Sequence, residues 1–263
     1  MMGYEVTVSK IAAAAAAKSK RFRTAPMRYL MACIWAGMWV GIGIILIFSI
    51  GSQLSAEAPH VVKLVQGLSF AVALVLVIMT GAELFTGNNM VMTVGSQQKT
   101  VSWGDTIKLW IFCYIGNLIG AMILSLIFVW TGLAGNEALT ATFMAGGIAK
   151  ASGSALSLIA KGLICNALVC VAVLVTFRTD NDAAKILVVF MCLFAFITPG
   201  FEHSVANMTV YCVNLFNPAN TDVTIGMAAK NLLFSTLGNL IGGIIFVGLP
   251  AWFMGADKIT EKS

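Results

Sequence analysis

Charged residues are scarce in this chain of 263 residues. Asp, Glu, Lys and Arg together make up 10% of it, whereas 59% of its residues are hydrophobic. Soluble domains carry about 25% charged residues, so this composition cannot cover a water-facing surface. The scarcity of charge excludes a soluble globular protein and predicts a polytopic membrane protein.

Clustered ligands for metals and cofactors are also lacking. The chain has two histidines, His60 and His203, and six cysteines, no two of which have Cys-x-x-Cys spacing. A haem or metal centre needs paired histidines or a cluster of ligating side chains. The sequence therefore predicts no metal, no cofactor and no enzyme activity, and it predicts that the cysteines are buried free thiols.

A soluble domain with a basic face is missing too, so the net charge of +5 does not predict a nucleic-acid partner. Instead, twelve of the Lys and Arg residues fall on the side of the N-terminus and four on the other side. Cytoplasmic loops are enriched in Lys and Arg, so both termini are predicted to be cytoplasmic. Residues 1–25 are alanine-rich with a basic end, which predicts a cytoplasmic helix lying along the inner membrane surface.

Apolar runs long enough to cross a bilayer, about 17–25 residues each, occur six times. The second and fifth runs continue into glycine, asparagine and other polar residues, so the two helices are predicted to be interrupted. The six runs are residues 27–50, 61–81, 108–130, 156–177, 183–197 with an interrupted extension to 214, and 232–252.

Two pairs of segments repeat between the halves of the chain. The third run contains "IGNLIGA" and the sixth "LGNLIGG", and "AELFTGNNMVM" in the first half resembles "GFEHSVANMTV" in the second. In the latter pair Glu83 corresponds to Glu202, and Asn89 is aligned with Asn207. The repeated Gly-Asn-Leu-Ile-Gly segment places small residues four apart, which is typical of close helix packing.

This repeat predicts the topology of the fold. Three spans in each half make the second half enter the membrane from the opposite side, so the repeat is inverted. The predicted organisation is a cytoplasmic helix (1–25), a channel domain (26–254) with repeat halves 26–132 and 154–254, and a cytoplasmic tail (255–263). Interrupted spans at equivalent positions indicate a transport pathway between them.

At these interruptions the sequence resembles the formate/nitrite transporter family. The segments "GAELFTGN" and "GFEHSVANM" resemble the two signature segments of that family, and the resemblance covers nearly the whole chain. It is nearest to the nitrite and hydrosulfide channel branch, and within that branch it most resembles the clostridial-type hydrosulfide channels. The resemblance implies an aquaporin-like fold, a homopentamer with one pore per protomer in the bacterial inner membrane, and passage of hydrosulfide, nitrite and formate.

His203 is the only histidine at predicted membrane depth, and it has no counterpart in the first half, where Leu84 occurs. An imidazole has an unperturbed pKa near ~6.5 and can change charge in the physiological range. In a dry pore it could donate either a hydrogen bond or a proton to a passing anion. Protonating a weak-acid anion would remove the cost of taking its charge out of water. Both roles remain open at this level.

The two glutamates at the interruptions are predicted to be structural. A carboxylate that lines an anion pore would repel its substrate, and Glu202 would point away from His203 on a helix. Glu202 and its counterpart Glu83 are therefore expected to bond the broken backbone or pair with a cation at a protomer interface. The predicted structural residues at the helix breaks are Glu83, Glu202, Gly87, Pro199 and Gly200.

The resemblance implies pore roles for further residues. Thr86 would face His203 and move as a gate, and Lys150 would draw anions into a vestibule, although it could be a solvated loop lysine. Asn166 would lie near the histidine, although it could equally join two helices. The predicted pore residues are His203, Thr86, Lys150, Asn166 and Asn207. Narrow pores also use apolar constrictions, for which the candidates are Leu84, Phe85, Phe70, Leu74, Phe194 and Phe196.

Alternative functions remain at the sequence level. Asn217-Pro218-Ala219 matches the tripeptide of aquaporin half-helices, but the first half has no second copy, so it is predicted to be a turn. A neutral-solute pore of aquaporin type is one alternative, and a nitrite or formate channel or a proton-linked transporter is another. The sequence does not decide which anion is physiological, what gates the pore, or the oligomeric state.

Overall fold

The chain folds into helices joined by short loops. A computed structural model describes residues 3–256, and no strand occurs in that range. The predicted all-α class is confirmed. Most of the predicted tail, residues 257–263, lies outside the described residues. The helices are α1 (Tyr4–Thr24), α2 (Pro26–Leu54), α3 (Val62–Ser69), α4 (Ala71–Met79), α5 (Phe85–Gln97), α6 (Trp103–Trp130), α7 (Glu137–Ser152), α8 (Ala155–Thr176), α9 (Asp182–Ile197), α10 (Ser204–Phe216), α11 (Ile225–Ile241) and α12 (Leu249–Ala256), with a π-helical segment (Gly242–Gly248) between α11 and α12.

Membrane-length helices account for five of the six predicted spans. Within the described residues, five segments are long and apolar enough to cross a membrane: Pro26–Leu54, Val62–Met79, Trp103–Trp130, Ala155–Thr176 and Ile225–Gly255. The remaining predicted span consists of α9 and α10, which have 16 and 13 residues and are separated by residues 198–203. Because neither is long enough alone, the count of six spans stays a prediction.

Most long helices begin with ordinary capping residues. The hydroxyls of Ser102, Ser154 and Thr224 each accept a hydrogen bond from the backbone N–H three residues ahead, at the starts of α6, α8 and α11. Such caps satisfy a donor that has no partner within the helix. At α10 the same position is occupied by a histidine, His203.

The repeated Gly-Asn-Leu-Ile-Gly segment lies at two equivalent helix crossings, α2 with α6 and α8 with α11. A Cβ atom at Gly120 would collide with the carbonyl of Ile34 in α2, and one at Gly242 would collide with the carbonyl of Leu163 in α8. Only glycine permits so close an approach. The predicted packing role of this segment is confirmed.

Helix α1 packs against α5, α12 and α2. Its buried face is formed by Thr7, Val8, Ile11, Ala12, Ala15 and Ser19. Lys18 reaches from this helix to the first interruption, where its Nζ lies 2.6 Å from Glu83 Oε2. The N-terminal helix is therefore bonded to the bundle as well as basic at its end.

Candidate functional site

The chain leaves helical conformation at two equivalent places, residues 80–84 and 198–203. Gly81 and Gly200 have left-handed φ values of 68° and 83°, which residues with a Cβ rarely adopt. Glycine thus ends α4 and α9 in the same way, and Pro199 precedes the second turn. Each turn is closed by an equivalent hydrogen bond, from Ala82 N to Val77 O and from Phe201 N to Phe196 O.

The asparagine of the first "GNLIG" segment joins the two sides of the first break. Asn117 Nδ2 donates to Glu83 O at 2.9 Å, and Asn117 Oδ1 accepts from Phe85 N at 2.9 Å. Glu83 precedes α5 and Phe85 begins it, so one side chain satisfies a carbonyl and an N–H that the interruption would leave unpaired. The same Nδ2 also donates to Cys33 O in α2, at 2.7 Å.

Asn239 makes the equivalent bonds at the second break. Its Nδ2 donates to Glu202 O at 2.9 Å, and its Oδ1 accepts from Ser204 N at 2.9 Å. A third bond, to Gly162 O at 2.8 Å, ties the break to α8. The sequence pattern predicted only packing for this segment; the matching asparagines were the signal that it also braces the breaks.

Each of the two glutamates that correspond in the repeat is held by a lysine and by amides or a phenol. At the first break, Glu83 Oε2 accepts from Lys18, from Tyr29 Oη at 3.2 Å and from Asn88 Nδ2 at 3.0 Å. The carboxylate is buried, so its charge needs these partners. The cation at Glu83 is Lys18 of the same chain, and the structural role of Glu83 stays a prediction.

Glu202 has the corresponding partners at the second break. Its Oε2 accepts from Lys150 Nζ at 3.2 Å, Asn207 Nδ2 at 2.6 Å and Asn231 Nδ2 at 3.3 Å. Asn207 also donates to Asn231 Oδ1 at 2.8 Å, so both of its amide hydrogens are used within the protein. In this structure Asn207 therefore braces Glu202 and has no donor left for an anion, and Lys150 is an ion-pair partner.

The structure corrects the sequence register between the two breaks. Asn88 and Asn207 each bond the glutamate five residues before them, so Asn88 is the counterpart of Asn207. The alignment of Asn89 with Asn207 was wrong by one position. Asn89 is adjacent to Asn88 in the sequence, but it does not bond Glu83. Its Oδ1 accepts a hydrogen bond from Asn166 Nδ2 in α8.

His203 is buried between the two breaks and is bonded at both ring nitrogens. Its Nδ1 accepts from Ala206 N at 3.0 Å, which caps α10. Its Nε2 lies 3.0 Å from Thr86 Oγ1, at the start of α5. The interruptions thus bring together two of the predicted pore residues, one from each half.

The bond from Ala206 decides the tautomer of His203. A backbone N–H can only donate, so Nδ1 must be unprotonated and the neutral ring carries its hydrogen on Nε2. Nε2–H then donates to the Thr86 hydroxyl, whose own hydrogen is free to donate elsewhere. An imidazolium would place an Nδ1–H against the Ala206 N–H, which would break the cap.

A small apolar cavity of about 10 Å³ adjoins His203. That volume is about one water-probe sphere, so the site is closed to a polyatomic anion in this conformation. Four of the predicted constriction residues line it, Phe70, Leu74, Leu84 and Phe196, together with Val40, Ala73, Val169 and Leu193. Those last four positions were missed because apolar residues in a span carry no distinguishing signal.

Two predicted constriction residues lie elsewhere. Phe85 packs edge-on against Tyr114, with ring centroids 5.0 Å apart. Phe194 packs beside Gly67 of α3. Neither lines the small cavity, because successive residues of a helix point in different directions. Gly87, predicted to mark the break, lies inside α5, where an added Cβ would be 3.2 Å from the Val173 side chain.

A larger cavity of about 750 Å³ reaches His203 from the surface. Lys150 lines it, as do Lys63 and Lys161, which were counted only for topology in the sequence. Lys150 is paired with Glu202, whereas no ion pair of Lys63 or Lys161 is found within residues 3–256. The mouth of this cavity therefore carries unpaired positive charge.

Asn166 is one step removed from the histidine. Its Nδ2 donates to Asn239 O at 2.6 Å and to Asn89 Oδ1 at 3.0 Å. These bonds join α8 to α11 and α5. Of the two roles considered for Asn166 from the sequence, they correspond to joining helices and not to lying beside the histidine. In the part of the chain that the structure describes, no group of three or more His, Cys, Asp or Glu side chains could hold a metal ion.

Known proteins have sequences similar to this chain along most of their length. The sequence profile described as formate/nitrite transporter matches residues 5–253. The nitrite transporter NirC of Salmonella typhimurium is 38% identical over 94% of this chain and 90% of its own length. The formate channel FocA of Escherichia coli is 26% identical over 86% of each chain.

Solved structures of this family are also similar to this chain. A structure described as an FNT family ion channel has a TM-score of 0.89 and 38% identity, covering 94% of this chain and 98% of its own. A pentameric formate channel with formate bound has a TM-score of 0.78 and 29% identity, covering 88% of this chain and 98% of its own.

Proposed function

The chain belongs to the formate/nitrite transporter family, and from that premise we propose that it is a passive channel for small monovalent weak-acid anions. The family consists of membrane transporters and channels, which agrees with the multi-pass helices of this chain. The observation that carries the proposal is the His203–Thr86 pair, held at 3.0 Å between two broken helices. It is a buried polar pair at the inner end of a cationic cavity.

The unpaired lysines of the larger cavity begin the transport path. Lys63 and Lys161 raise the local concentration of anions at the cavity mouth. Lys150 contributes little net charge there, because Glu202 neutralises it at 3.2 Å. We therefore assign the attraction of anions to Lys63 and Lys161, and a structural ion pair to Lys150.

The His203–Thr86 pair then offers the anion hydrogen bonds in place of those that it loses with its hydration shell. When the anion arrives, His203 Nε2–H turns from the threonine oxygen to the anion, and the Thr86 hydroxyl donates beside it. Hydrogen bonds to an ion are stronger than those between neutral groups, which offsets part of the desolvation cost. We propose that His203 donates a hydrogen bond and not a proton. The Ala206 N–H donates to Nδ1, and a protonated imidazolium would break that bond and uncap α10.

Passage requires the ring of apolar side chains that lines the small cavity to open. The cavity of about 10 Å³ beside His203 is too small for nitrite or formate, so Phe70, Phe196 and Leu84 must move for each conduction event. An apolar ring dehydrates the ion. A weak-acid anion can take up a proton from bulk water and cross such a ring as the neutral acid, whereas chloride has no neutral form at physiological pH.

Nitrite is the substrate that we favour within this class. Two donors 3.0 Å apart suit a planar anion with two oxygens, each accepting one hydrogen bond. The two NirC relatives at 37–38% identity are named nitrite transporters. Hydrosulfide, favoured from the sequence resemblance, has one acceptor atom and stays a candidate, as does formate.

Assembly and orientation complete the proposal. We propose a homopentamer in the bacterial inner membrane, because a relative of 29% identity is described as pentameric. We propose one pore per protomer, because the two breaks and the His203–Thr86 pair between them belong to the same chain. The Lys and Arg distribution supports cytoplasmic termini.

Flux into proteoliposomes tests the function. Vesicles with the purified channel are challenged with nitrite, hydrosulfide, formate, chloride and glycerol over a pH series. We expect uptake of the three weak-acid anions, fastest for nitrite, with little chloride flux and no swelling in glycerol. Glycerol permeation without anion uptake would replace the proposal with the aquaporin-type alternative.

A further inference from the structure

A third cavity, remote from His203, lies between α1, the loop before α6 and the first turn of α6. Its volume is about 730 Å³. It adjoins neither of the cavities on the transport path, and no residue lines both it and them. It is lined by Ala16, Ser19, Lys20, Arg23, Thr24, Ser96, Lys99, Thr100, Val101, Ser102, Trp103 and Asp105.

The charge of this cavity is positive. Lys20, Arg23 and Lys99 contribute three cations against the single carboxylate of Asp105, which lies 3.8 Å from Arg23. Among the described residues, neither Lys20 nor Lys99 has an ion-pair partner. The cavity therefore holds two uncompensated lysines, and hydroxyls of serine and threonine surround them.

The N-terminus of α6 adds to the positive electrostatic potential of this cavity. Trp103 and Gly104 are the first residues of a 28-residue helix, and their N–H groups have no acceptor within it. A helix N-terminus favours anions, and phosphate oxygens in particular. The lysines, the hydroxyls and the helix start all point to an anion with several oxygens.

An apolar track leads from the cavity along α6. Trp103, Ile107 and Ile111 follow one another at four-residue spacing, so they share a face of the helix. Their exposed fractions are 41%, 51% and 57%. Since α6 is membrane-length and begins at Trp103, this track runs from the cavity into the depth of the bilayer.

We propose that this cavity binds the phosphate of an anionic phospholipid whose acyl chain lies along the Trp103–Ile107–Ile111 track. Lys20 and Lys99 hold the phosphate oxygens, and the hydroxyls and the α6 N-terminus complete the shell. The site joins α1 to α6 through the lipid. A soluble phosphate would use the cavity but not the track.

Lipid binding to the full-length channel tests this site. Purified protein in detergent is titrated with phosphatidylglycerol or with phosphatidylcholine of the same acyl chains, and bound lipid is counted by native mass spectrometry. We expect phosphatidylglycerol to bind at least about tenfold more tightly, because each nearby basic residue strengthens binding about fivefold. Equal binding of the two lipids would overturn the proposal.

Two substitutions remove the lysines with little risk to folding. Lys20→Gln lies on an exposed helix surface, and Lys99→Asn suits the left-handed φ of 58° at that position, which asparagine tolerates. The double variant should bind phosphatidylglycerol about 25-fold more weakly. Lys108→Gln, a matched loss of one charge on α6 outside the cavity, should bind like the wild type.

The outcomes separate the sources of phosphate. If Lys108→Gln weakens binding as much as the cavity variants do, the attraction is diffuse and the site is wrong. Inorganic phosphate is titrated in parallel. If it displaces phosphatidylglycerol at similar concentrations, and the variants change both equally, the site takes free phosphate and the lipid assignment is wrong.

Discussion

His203 is bonded at both ring nitrogens, and each bond has a different consequence. The Nδ1 bond from Ala206 caps α10, whereas the Nε2 bond to Thr86 lies on the proposed transport path. Substitutions can separate the two. Asparagine is a good helix cap, but its side chain is too short to replace the imidazole at Thr86.

The first prediction follows from this separation. His203→Asn should fold with near wild-type thermal stability and lose about tenfold or more of its nitrite flux, the worth of a hydrogen bond to an ion. His203→Ala should lose a similar flux and about 1 kcal/mol of stability in addition. Proteoliposome flux and thermal unfolding measure the two effects.

The pH series discriminates further. If His203 donated a proton, His203→Asn would abolish the pH dependence of flux. We expect the pH dependence to persist in this variant at a lower maximum, because it belongs to the anion itself. Loss of the pH dependence together with the flux would show that a proton-linked mechanism is correct.

Lys63 and Lys161 carry the second prediction. The double variant Lys63→Gln/Lys161→Gln should lower nitrite flux about tenfold at low substrate and low salt, since capture depends on the local field. The maximum flux at saturating nitrite should be unchanged. Raising the salt should remove the difference, because exposed charges are screened.

Lys230→Gln is the matched control, as it removes a lysine from the same predicted side that does not line the cavity. Lys150→Gln is expected to behave differently, because it leaves the buried Glu202 without its cation. A lower maximum flux in the Lys63/Lys161 variant at high salt would contradict the assigned role.

At the scale of elements, two asparagines decide whether the half-helices α5 and α10 can start inside the bundle. Asn117 and Asn239 each pair the carbonyl before a half-helix and the N–H at its start. Without them, polar backbone groups would be buried unpaired, which costs about 1–3 kcal/mol for each group.

The third prediction is that Asn117→Leu and Asn239→Leu each destabilise the channel by about 3 kcal/mol or more. Thermal unfolding in detergent should reveal this as a large fall in melting temperature. Asn181→Ala, which removes an exposed cap at the start of α9, should cost only about 1 kcal/mol. Equal effects of the buried and exposed asparagines would refute the bracing role.

The all-α class and the two equivalent turns at residues 80–84 and 198–203 could be read from the sequence, because duplicated polar segments stand out in an apolar chain. The functional importance of His203 stays a prediction. The register was one residue off, since Asn88 and Asn89 are adjacent and only the bond to Glu83 distinguishes them. The ion pair between Lys150 and Glu202 and the packing of the Phe85 ring against Tyr114 could not be foreseen. They depend on which helices meet in space, and local pattern does not contain that.

At the scale of the whole molecule, the proposed transport path runs within one protomer, because the two breaks and the His203–Thr86 pair belong to the same chain. Pores in a pentamer should then work independently. The fourth prediction is that pentamers mixed from wild-type and His203→Ala chains lose nitrite flux in linear proportion to the variant fraction. A steeper, cooperative loss would mean that the pores are coupled or that the conducting path lies between subunits.

The central claim is that a neutral His203 donates from Nε2 to the anion, and nitrogen NMR tests it most directly. The chain has two histidines, so ¹⁵N-histidine labelling of wild type and His60→Gln assigns the signals of His203. We expect an unprotonated Nδ1 and a protonated Nε2 between about pH 5 and pH 8, the range in which histidine ordinarily titrates. Nitrite should shift the Nε2–H signal alone. A protonated Nδ1 in that range, or an Nε2–H signal that nitrite leaves unchanged, would contradict the account.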